Sequence, residues 1–302
     1  MTQLRVRRPP FRIDETVPFQ WQPANPAFGL FTNAFTFLAI AFERYIVSAT
    51  RMAMPRFTDP DIAEEAETFV RQEAQHAKAH RAHAKALIAQ YPGLKDTLDA
   101  ANHAYDQLLD SESVEFHLAY IANLEATFTP LFKMVFDHRG PLFEGGDERV
   151  GTLFLWHFVE EIEHRSSALV VHHALTSDRW YRLRKSPKVF QHVASNYKLV
   201  LDGIEKHVPL ADRGIPTSAV GPLGLYTSEM RTRMPILRRR AERPSMLAHV
   251  PGRELRAMIW QLAKTQTPSH DPADEPLPVW VDQWHAAFDA GDDVTSYPGA
   301  RL

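Results

Sequence analysis

The sequence predicts an all-α protein, a four-helix bundle with one long crossover connection and additional short helices toward the C-terminus. Four long segments with the helical spacing of apolar residues lie between residues 26 and 175, separated by proline- and glycine-containing breaks. The first two segments and the last two are joined by short links, which makes each pair antiparallel. About twenty residues, 91–110, separate the middle two, enough to cross the length of a bundle.

The first 26 residues contain five prolines and little periodicity, so we expect an extended N-terminal arm. The first helix is expected from about Pro26 to Met54. The second is expected from Thr58-Asp59-Pro60, an N-cap with proline just inside the helix, to about Gln90. These two helices and their short link form the first antiparallel pair.

The third helix is expected from about Ser111 to Asp137, with Pro130 as a kink. The fourth is expected to run without a break from about Asp147 to Leu175. Shorter helices are expected over residues 189–207, 254–264 and 279–287.

The domain prediction is an arm over 1–26, a bundle over 27–205 and a C-terminal extension over 206–302. The extension is expected to pack on the bundle, because its short helices cannot bury Trp260, Trp280 and Trp284 alone. The basic run Arg238-Arg239-Arg240 is interpreted as a solvated face.

Composition narrows the chemistry. Of the 302 residues, 44% are hydrophobic and 24% charged, as in soluble globular proteins, and the net charge of -3 does not indicate a nucleic-acid partner. The sequence has no cysteine, so a metal would need nitrogen and oxygen ligands. The basic N-terminus lacks the apolar run of a secretory signal, and the apolar stretch 28–42 is shorter than the roughly 20 residues of a transmembrane helix. We therefore expect a cytoplasmic protein.

Two Glu-x-x-His motifs lie on alternate predicted helices, Glu73-x-x-His76 on the second and Glu161-x-x-His164 on the fourth. Residues three apart share a helical face, so each motif can offer a carboxylate and an imidazole to one cation. Glu43 and Glu125 supply a carboxylate near the middle of the other two helices. Burying these four carboxylates without cations would cost a desolvation free energy on the order of several kcal/mol for each charge.

The sequence therefore predicts a two-metal site with six ligands: Glu43, Glu73, His76, Glu125, Glu161 and His164. The competing interpretation is a plain bundle with solvated Glu and His side chains. Of the three neighbouring acids Glu160, Glu161 and Glu163, only Glu161 has the three-residue offset to His164. Glu160, four residues before His164, is an alternative ligand if the helix is bulged. His80 and His157 are possible additional ligands or lie just behind the ligands.

This ligand order resembles the ferritin-like di-iron carboxylate superfamily, which has a Glu on two helices and Glu-x-x-His on the other two. Within it, residues 27–205 resemble a bacterial family labelled predicted metal-dependent hydrolases. The resemblance implies two iron ions, with manganese or zinc as alternatives. It implies nitrogen ligands at His76 and His164, and bridging or terminal carboxylates at Glu43 and Glu125.

The first functional hypothesis is an oxygen-activating di-iron oxidase or oxygenase on an apolar organic substrate, supplied by an electron donor that the sequence does not identify. The alternative is a metal-dependent hydrolase that uses a metal-bound water, with His80 or His157 as base. A non-enzymatic iron-binding protein is the third.

The apolar first helix has five phenylalanines between residues 28 and 42, so every side of it must be covered. The C-terminal segments, the partner in a homodimer, or an apolar ligand could provide that cover. A ligand would lie in a tunnel lined by Phe31, Phe35 or Leu38.

Overall fold

The structure is a computed structural model that describes residues 4–220 and 246–295. Over these residues it contains eleven α-helices and no strand, so the predicted all-α class is confirmed. The helices are α1 Pro26–Ala53, α2 Pro60–Gln90, α3 Leu94–Ser111, α4 Val114–Asp137, α5 Arg139–Phe143, α6 Glu148–Glu163, α7 Ser167–Leu175, α8 Tyr181–His207, α9 Leu210–Arg213, α10 Gly252–Lys264 and α11 Val279–Asp289.

The first two helices begin where their capping residues predict. The Asn25 side chain accepts a hydrogen bond from the backbone N–H of Phe28 and caps α1. The Asp59 side chain does the same for Asp61 at the start of α2, and Pro60 occupies the first turn. Each side chain satisfies a backbone donor that has no partner within the helix, which fixes the start of that helix.

Four helices surround the predicted site. Helix α1 packs against α2 and α4, and α6 also packs against α2 and α4, so the four form a closed cycle. The crossover between α2 and α4 contains a helix, α3, whereas a connection without a helix was predicted for residues 91–110. Its buried positions Leu94, Ala101, Tyr105 and Leu108 follow the helical period, so this element was readable from the sequence.

The predicted fourth helix is wrong as one continuous element. It is two helices, α6 and α7, separated by a turn over residues 164–166. Ser166 and Ser167 are weak helix formers, and the Ser167 hydroxyl donates to Glu65 instead. The Ser167 N–H bonds the carbonyl of His164 at 2.8 Å, three residues back, which tightens the turn. His164 thus lies where the helix ends.

The C-terminal segment lies against the bundle. Helix α10 packs on α4. Trp280 and Trp284 are buried, and the Trp280 ring stacks on Phe136 with 4.9 Å between ring centroids. Trp260 is 71% exposed, so the expectation that it packs on the bundle is wrong. The run Arg238–Arg240 lies outside the described residues.

Two boundaries differ from the prediction. Helix α8 begins at Tyr181 rather than Val189, and it ends at His207, so the predicted boundary after residue 205 falls in its last turn. The arm is largely irregular up to residue 25, yet it buries Val17, Phe19 and Trp21.

Helix α1 is the central helix. The segment Pro26–Arg56 is long and apolar enough to cross a membrane, but 72% of its most apolar window is buried inside the protein, as in any core helix. Helices α2, α3, α4 and α8 cover it. Among the described residues, α3 and α8 therefore cover the sides of α1 that α2 and α4 leave open. Phe31, Phe35 and Leu38 are only half-buried.

Candidate metal centre

The six predicted ligands come together in the interior between α1, α2, α4 and α6. None of their side chains is solvated: each residue is at most 2% exposed. The competing interpretation of solvated glutamates and histidines is therefore excluded for this site. Donor atoms of these residues form overlapping groups within 4.8 Å of one another, close enough to share metal ions.

One part of the site, here called the His164 half, consists of Glu73, Glu125, Glu161 and His164. The His164 Nε2 atom is at its centre. It lies 3.1 Å from Glu73 Oε1, 3.2 Å from Glu161 Oε2 and 3.5 Å from Glu125 Oε2. Three carboxylates and one imidazole from three bundle helices and the turn after α6 thus face one point.

The other part, here called the His76 half, combines two overlapping groups, Glu43 with Glu73 and His76, and His76 with His157 and Glu161. A third group, Glu43 with His80 and His157, adjoins it. His76 Nδ1 lies 3.2 Å from Glu161 Oε1 and 3.8 Å from Glu73 Oε2. His157 Nε2 lies 2.7 Å from Glu161 Oε1 and 3.4 Å from Glu43 Oε1. The two Glu-x-x-His glutamates are therefore shared by both halves, whereas Glu43 and Glu125 each belong to one.

Buried oxygen atoms at this site lack hydrogen bonds. Both carboxylate oxygens of Glu43, of Glu73 and of Glu125 are buried without a hydrogen-bond partner, and so is Nδ1 of His76. A buried unpaired polar group costs about 1–3 kcal/mol, and an ionised one more. Divalent cations would satisfy these atoms, and a mixed carboxylate and imidazole set suits iron, manganese or zinc. The residues present thus fit bound metal ions.

In the protein without bound metal, the four carboxylates form two pairs that differ in the direction of their pKa shift. Burial raises the pKa of Glu43 and Glu125 well above the usual range, and neighbouring carboxylates add to the rise. Burial also opposes ionisation of Glu73 and Glu161, but the nearby histidines outweigh it and lower both pKa values. The shared glutamates are therefore the ionised ones.

The histidines also differ in pKa. Burial lowers the pKa of His76 and His164, but the surrounding carboxylates outweigh it and raise both well above the usual value. Burial lowers the pKa of His157, and the charge on His76 lowers it further. His80 is lowered well below its usual pKa by burial and by His157. His157 and His80 are therefore the neutral imidazoles at pH 7.

The structure places Glu160 behind His76 rather than among the metal-facing groups. Its Oε2 atom lies 3.0 Å from His76 Nε2, on the side of the ring opposite the carboxylate cluster. Helix α6 is regular there, so Glu161 and not Glu160 faces the site. Ligand histidines usually donate their second N–H to such a carboxylate, which fixes the ring and its tautomer.

His157 and His80 begin a hydrogen-bonded chain. His80 Nε2 lies 2.7 Å from His157 Nδ1, and His80 Nδ1 lies 3.1 Å from the Thr36 hydroxyl, which also contacts His83 Nδ1 at 2.9 Å. His157 Nε2 is itself hydrogen-bonded to Glu161 Oε1, at 2.7 Å. Once a cation holds that carboxylate and His157 Nδ1–H donates to His80, the lone pair on His157 Nε2 is directed at the cluster. That orientation serves a ligand or a base.

Two residues of the site, Arg7 and Gln72, were not singled out from the sequence, and Glu163 was weighed only against Glu161 as a metal ligand. They form a hydrogen-bonded group behind the histidines, described below. Their contacts connect residues up to 156 positions apart, so no local pattern marks them. The only available signal was that Gln72 and Glu163 each adjoin a motif residue.

Fold and site together define a helical protein with a buried carboxylate and histidine cluster that fits metal ions. Residues 5–208 match the family described as "Predicted metal-dependent hydrolase", and this match covers more than half of the chain. The chain belongs to that family. No curated protein and no solved structure matches it.

Proposed function

We propose that the protein is a dinuclear metal enzyme in which a ferritin-like bundle binds two divalent cations. The observation that carries the proposal is the set of buried carboxylate oxygens that have no hydrogen bond. Their cost is removed when cations take the place of the missing partners. The closed cycle of α1, α2, α4 and α6, with a long crossover between α2 and α4, supports the ferritin-like arrangement.

We propose hydrolysis as the reaction, supported by the family description. When bound, two divalent cations supply Lewis-acid charge and lower the pKa of a coordinated water. His157 is the residue best placed to accept a proton, at Nε2, because its lowered pKa leaves it neutral at pH 7. His80 holds His157 Nδ1 and so keeps Nε2 directed at the cluster.

The substrate we propose is a small, largely apolar molecule. The Phe35 ring lies 5.6 Å from the ring of His157 and 6.0 Å from that of His80, measured between centroids. Phe35 is half-buried, as are Phe31 and Leu38 one turn away on either side. These side chains form an apolar, partly accessible stripe whose middle residue, Phe35, lies beside the proposed base, and an acyl chain fits such a surface.

The second candidate is an oxygen-dependent oxidase, and the donor set is the observation that favours it. Four carboxylates serve two cations, and anionic ligands stabilise the higher oxidation states of iron. Such a reaction would require an external electron donor. Phe158 and Phe132, stacked with 4.0 Å between ring centroids, place further apolar surface near the site.

The test compares the two reactions in one experiment. The metal-free protein is loaded with Zn²⁺, Mn²⁺ or Fe²⁺ and assayed without oxygen on p-nitrophenyl esters of increasing acyl length. The hydrolase proposal expects turnover that Glu161→Gln abolishes and Glu64→Gln, an exposed position on α2, preserves. Absence of anaerobic turnover with all three metals, combined with oxygen consumption by the iron form and a reductant, would replace it with the second candidate.

The stripe has a separate test. Phe35→Ala should shift the preferred acyl length without changing metal content, because Phe35 contacts the proposed base but offers no ligand. An unchanged length profile would refute the apolar approach route.

A further inference from the structure

We propose that Arg7 in the N-terminal arm is a positioning residue that holds both predicted histidine ligands in the orientation that metal binding requires. The inference rests on the proposed two-cation site. It makes the arm a part of the metal centre, although Arg7 lies well over 60 residues from either histidine in sequence.

The first connection leads to His76. Arg7 Nη1 lies 3.4 Å from Glu160 Oε1, and Glu160 Oε2 lies 3.0 Å from His76 Nε2. Glu160 faces the Arg7 guanidinium with one oxygen and accepts from His76 with the other, so His76 carries a proton on Nε2. The Nδ1 lone pair of His76 is then left for the cluster, where Glu161 and Glu73 lie.

The second connection leads to His164. Arg7 donates to both oxygens of Glu163, at 2.8 Å and 2.9 Å. Gln72 Nε2 donates to Glu163 Oε2 at 2.8 Å and to the Arg5 carbonyl at 3.1 Å, which fixes the amide. Gln72 Oε1 therefore points at His164 Nδ1, 3.3 Å away, and accepts its proton. The His164 Nε2 lone pair is left for the cluster.

Burial makes this role specific to arginine. The Arg7 side chain is 5% exposed, and its guanidinium lies 5.8 Å from the ring of Trp284 and 5.5 Å from that of Phe288, both on α11. Without it, Glu160 and Glu163 would lose their guanidinium partner in the protein interior, a strongly unfavourable change. A planar guanidinium can contact both carboxylates at once, which a lysine ammonium cannot reproduce.

The experiment measures metal binding rather than turnover. Metal-free wild type, Arg7→Gln and Arg5→Gln are titrated with Co²⁺ against a chelator, and the visible ligand-field spectrum is recorded. Arg5 is the matched control: it lies in the same arm and pairs with Asp289 on α11, but its side chain is 59% exposed. We expect Arg7→Gln to weaken both binding steps by about 10–100-fold and to alter the spectrum, and Arg5→Gln to do neither.

Two further variants keep the test decisive. Arg7→Lys should bind Co²⁺ almost as weakly as Arg7→Gln, because lysine preserves the charge but not the planar contact with both carboxylates. Gln72→Met leaves Arg7 and both its carboxylates in place and should weaken one binding step only. If circular dichroism shows that Arg7→Gln does not fold, Gln72→Met still tests the connection from Arg7 to His164.

The outcomes separate this inference from the proposed function. Wild-type affinity and spectrum in folded Arg7→Gln would overturn the role of Arg7 while the two-cation site stands. The same result in Gln72→Met would overturn the connection from Arg7 to His164. A wild-type protein that binds no Co²⁺ would instead overturn the two-cation site, and the inference with it.

Discussion

The two halves of the candidate site differ in a way that their common motif conceals. Each half is centred on a Glu-x-x-His histidine, yet the His76 half contains a second imidazole, His157, and the His164 half does not. The residue four before Glu161 is His157, whereas the residue four before Glu73 is Phe69, whose ring lies 5.0 Å from that of His164.

The same contrast appears on the other side of each motif. The residue four after His76 is His80, which bonds His157, whereas the residue four after His164 is the buried Ala168. At these two helical positions, one half is therefore flanked by histidines and the other by apolar residues. Two cations in these halves would not be equivalent, and the proposed chemistry belongs to the His76 half, where a neutral imidazole is present.

The largest expected effect is the loss of both cations in Glu161→Gln. Glu161 faces His76, His157 and His164, and the amide removes a charge that both halves share. Elemental analysis should fall from about two metal ions per chain to less than half of one. Glu64→Gln on the exposed face of α2 is the control. Retention of both ions in Glu161→Gln would show that the halves do not share this residue.

The next effect separates the halves. Glu43→Gln should remove only the cation of the His76 half, and Glu125→Gln only that of the His164 half, because each lies in one half. Each variant should retain about one ion per chain. If either variant loses both ions, the two halves bind cooperatively, which would contradict the assignment of Glu43 and Glu125 to one half each.

A smaller effect is expected from His157→Phe, which gives the His76 half the residue type that Phe69 provides in the other. Binding in that half should weaken by about tenfold, while the other step is unchanged. Hydrolysis should be lost, because the proposed base is gone. His83→Gln, farther along the hydrogen-bonded chain, is the control. Full activity in His157→Phe would remove it from the mechanism.

The last expected effect needs no substitution and is a pH dependence of metal binding. Burial lowers the pKa values of His76 and His164, but neighbouring carboxylates outweigh it and raise both above 6.5. Both histidines are therefore protonated at pH 7 when no metal is bound. A cation must displace these protons, and affinity should fall as pH decreases below the raised values, by about tenfold per pH unit for each proton displaced. Calorimetry in two buffers of different ionisation enthalpy measures the release. Binding without proton release would contradict the assignment.

The sequence predicts α1 and α2 well because proline and capping side chains fix their starts. It also predicts which residues converge, because Glu-x-x-His places both donors on one helical face. It does not predict the turn after His164, which depends on a contact between Ser167 and Glu65 on another helix. Side-chain contacts between elements far apart in sequence also decide the roles of Arg7 and His157. The sequence therefore gives no sign of Arg7, and it does not show whether His157 is a metal ligand or lies behind the ligands.

The central claim is that two cations bind between the shared glutamates Glu73 and Glu161. A crystal of the Zn²⁺-loaded protein, measured above and below the zinc absorption edge, tests it most directly. The expected result is two anomalous peaks about 3.5–4 Å apart, one beside His76 Nδ1 and the other beside His164 Nε2. A cluster without an anomalous peak, in a crystal whose zinc is bound elsewhere on the protein, would contradict it.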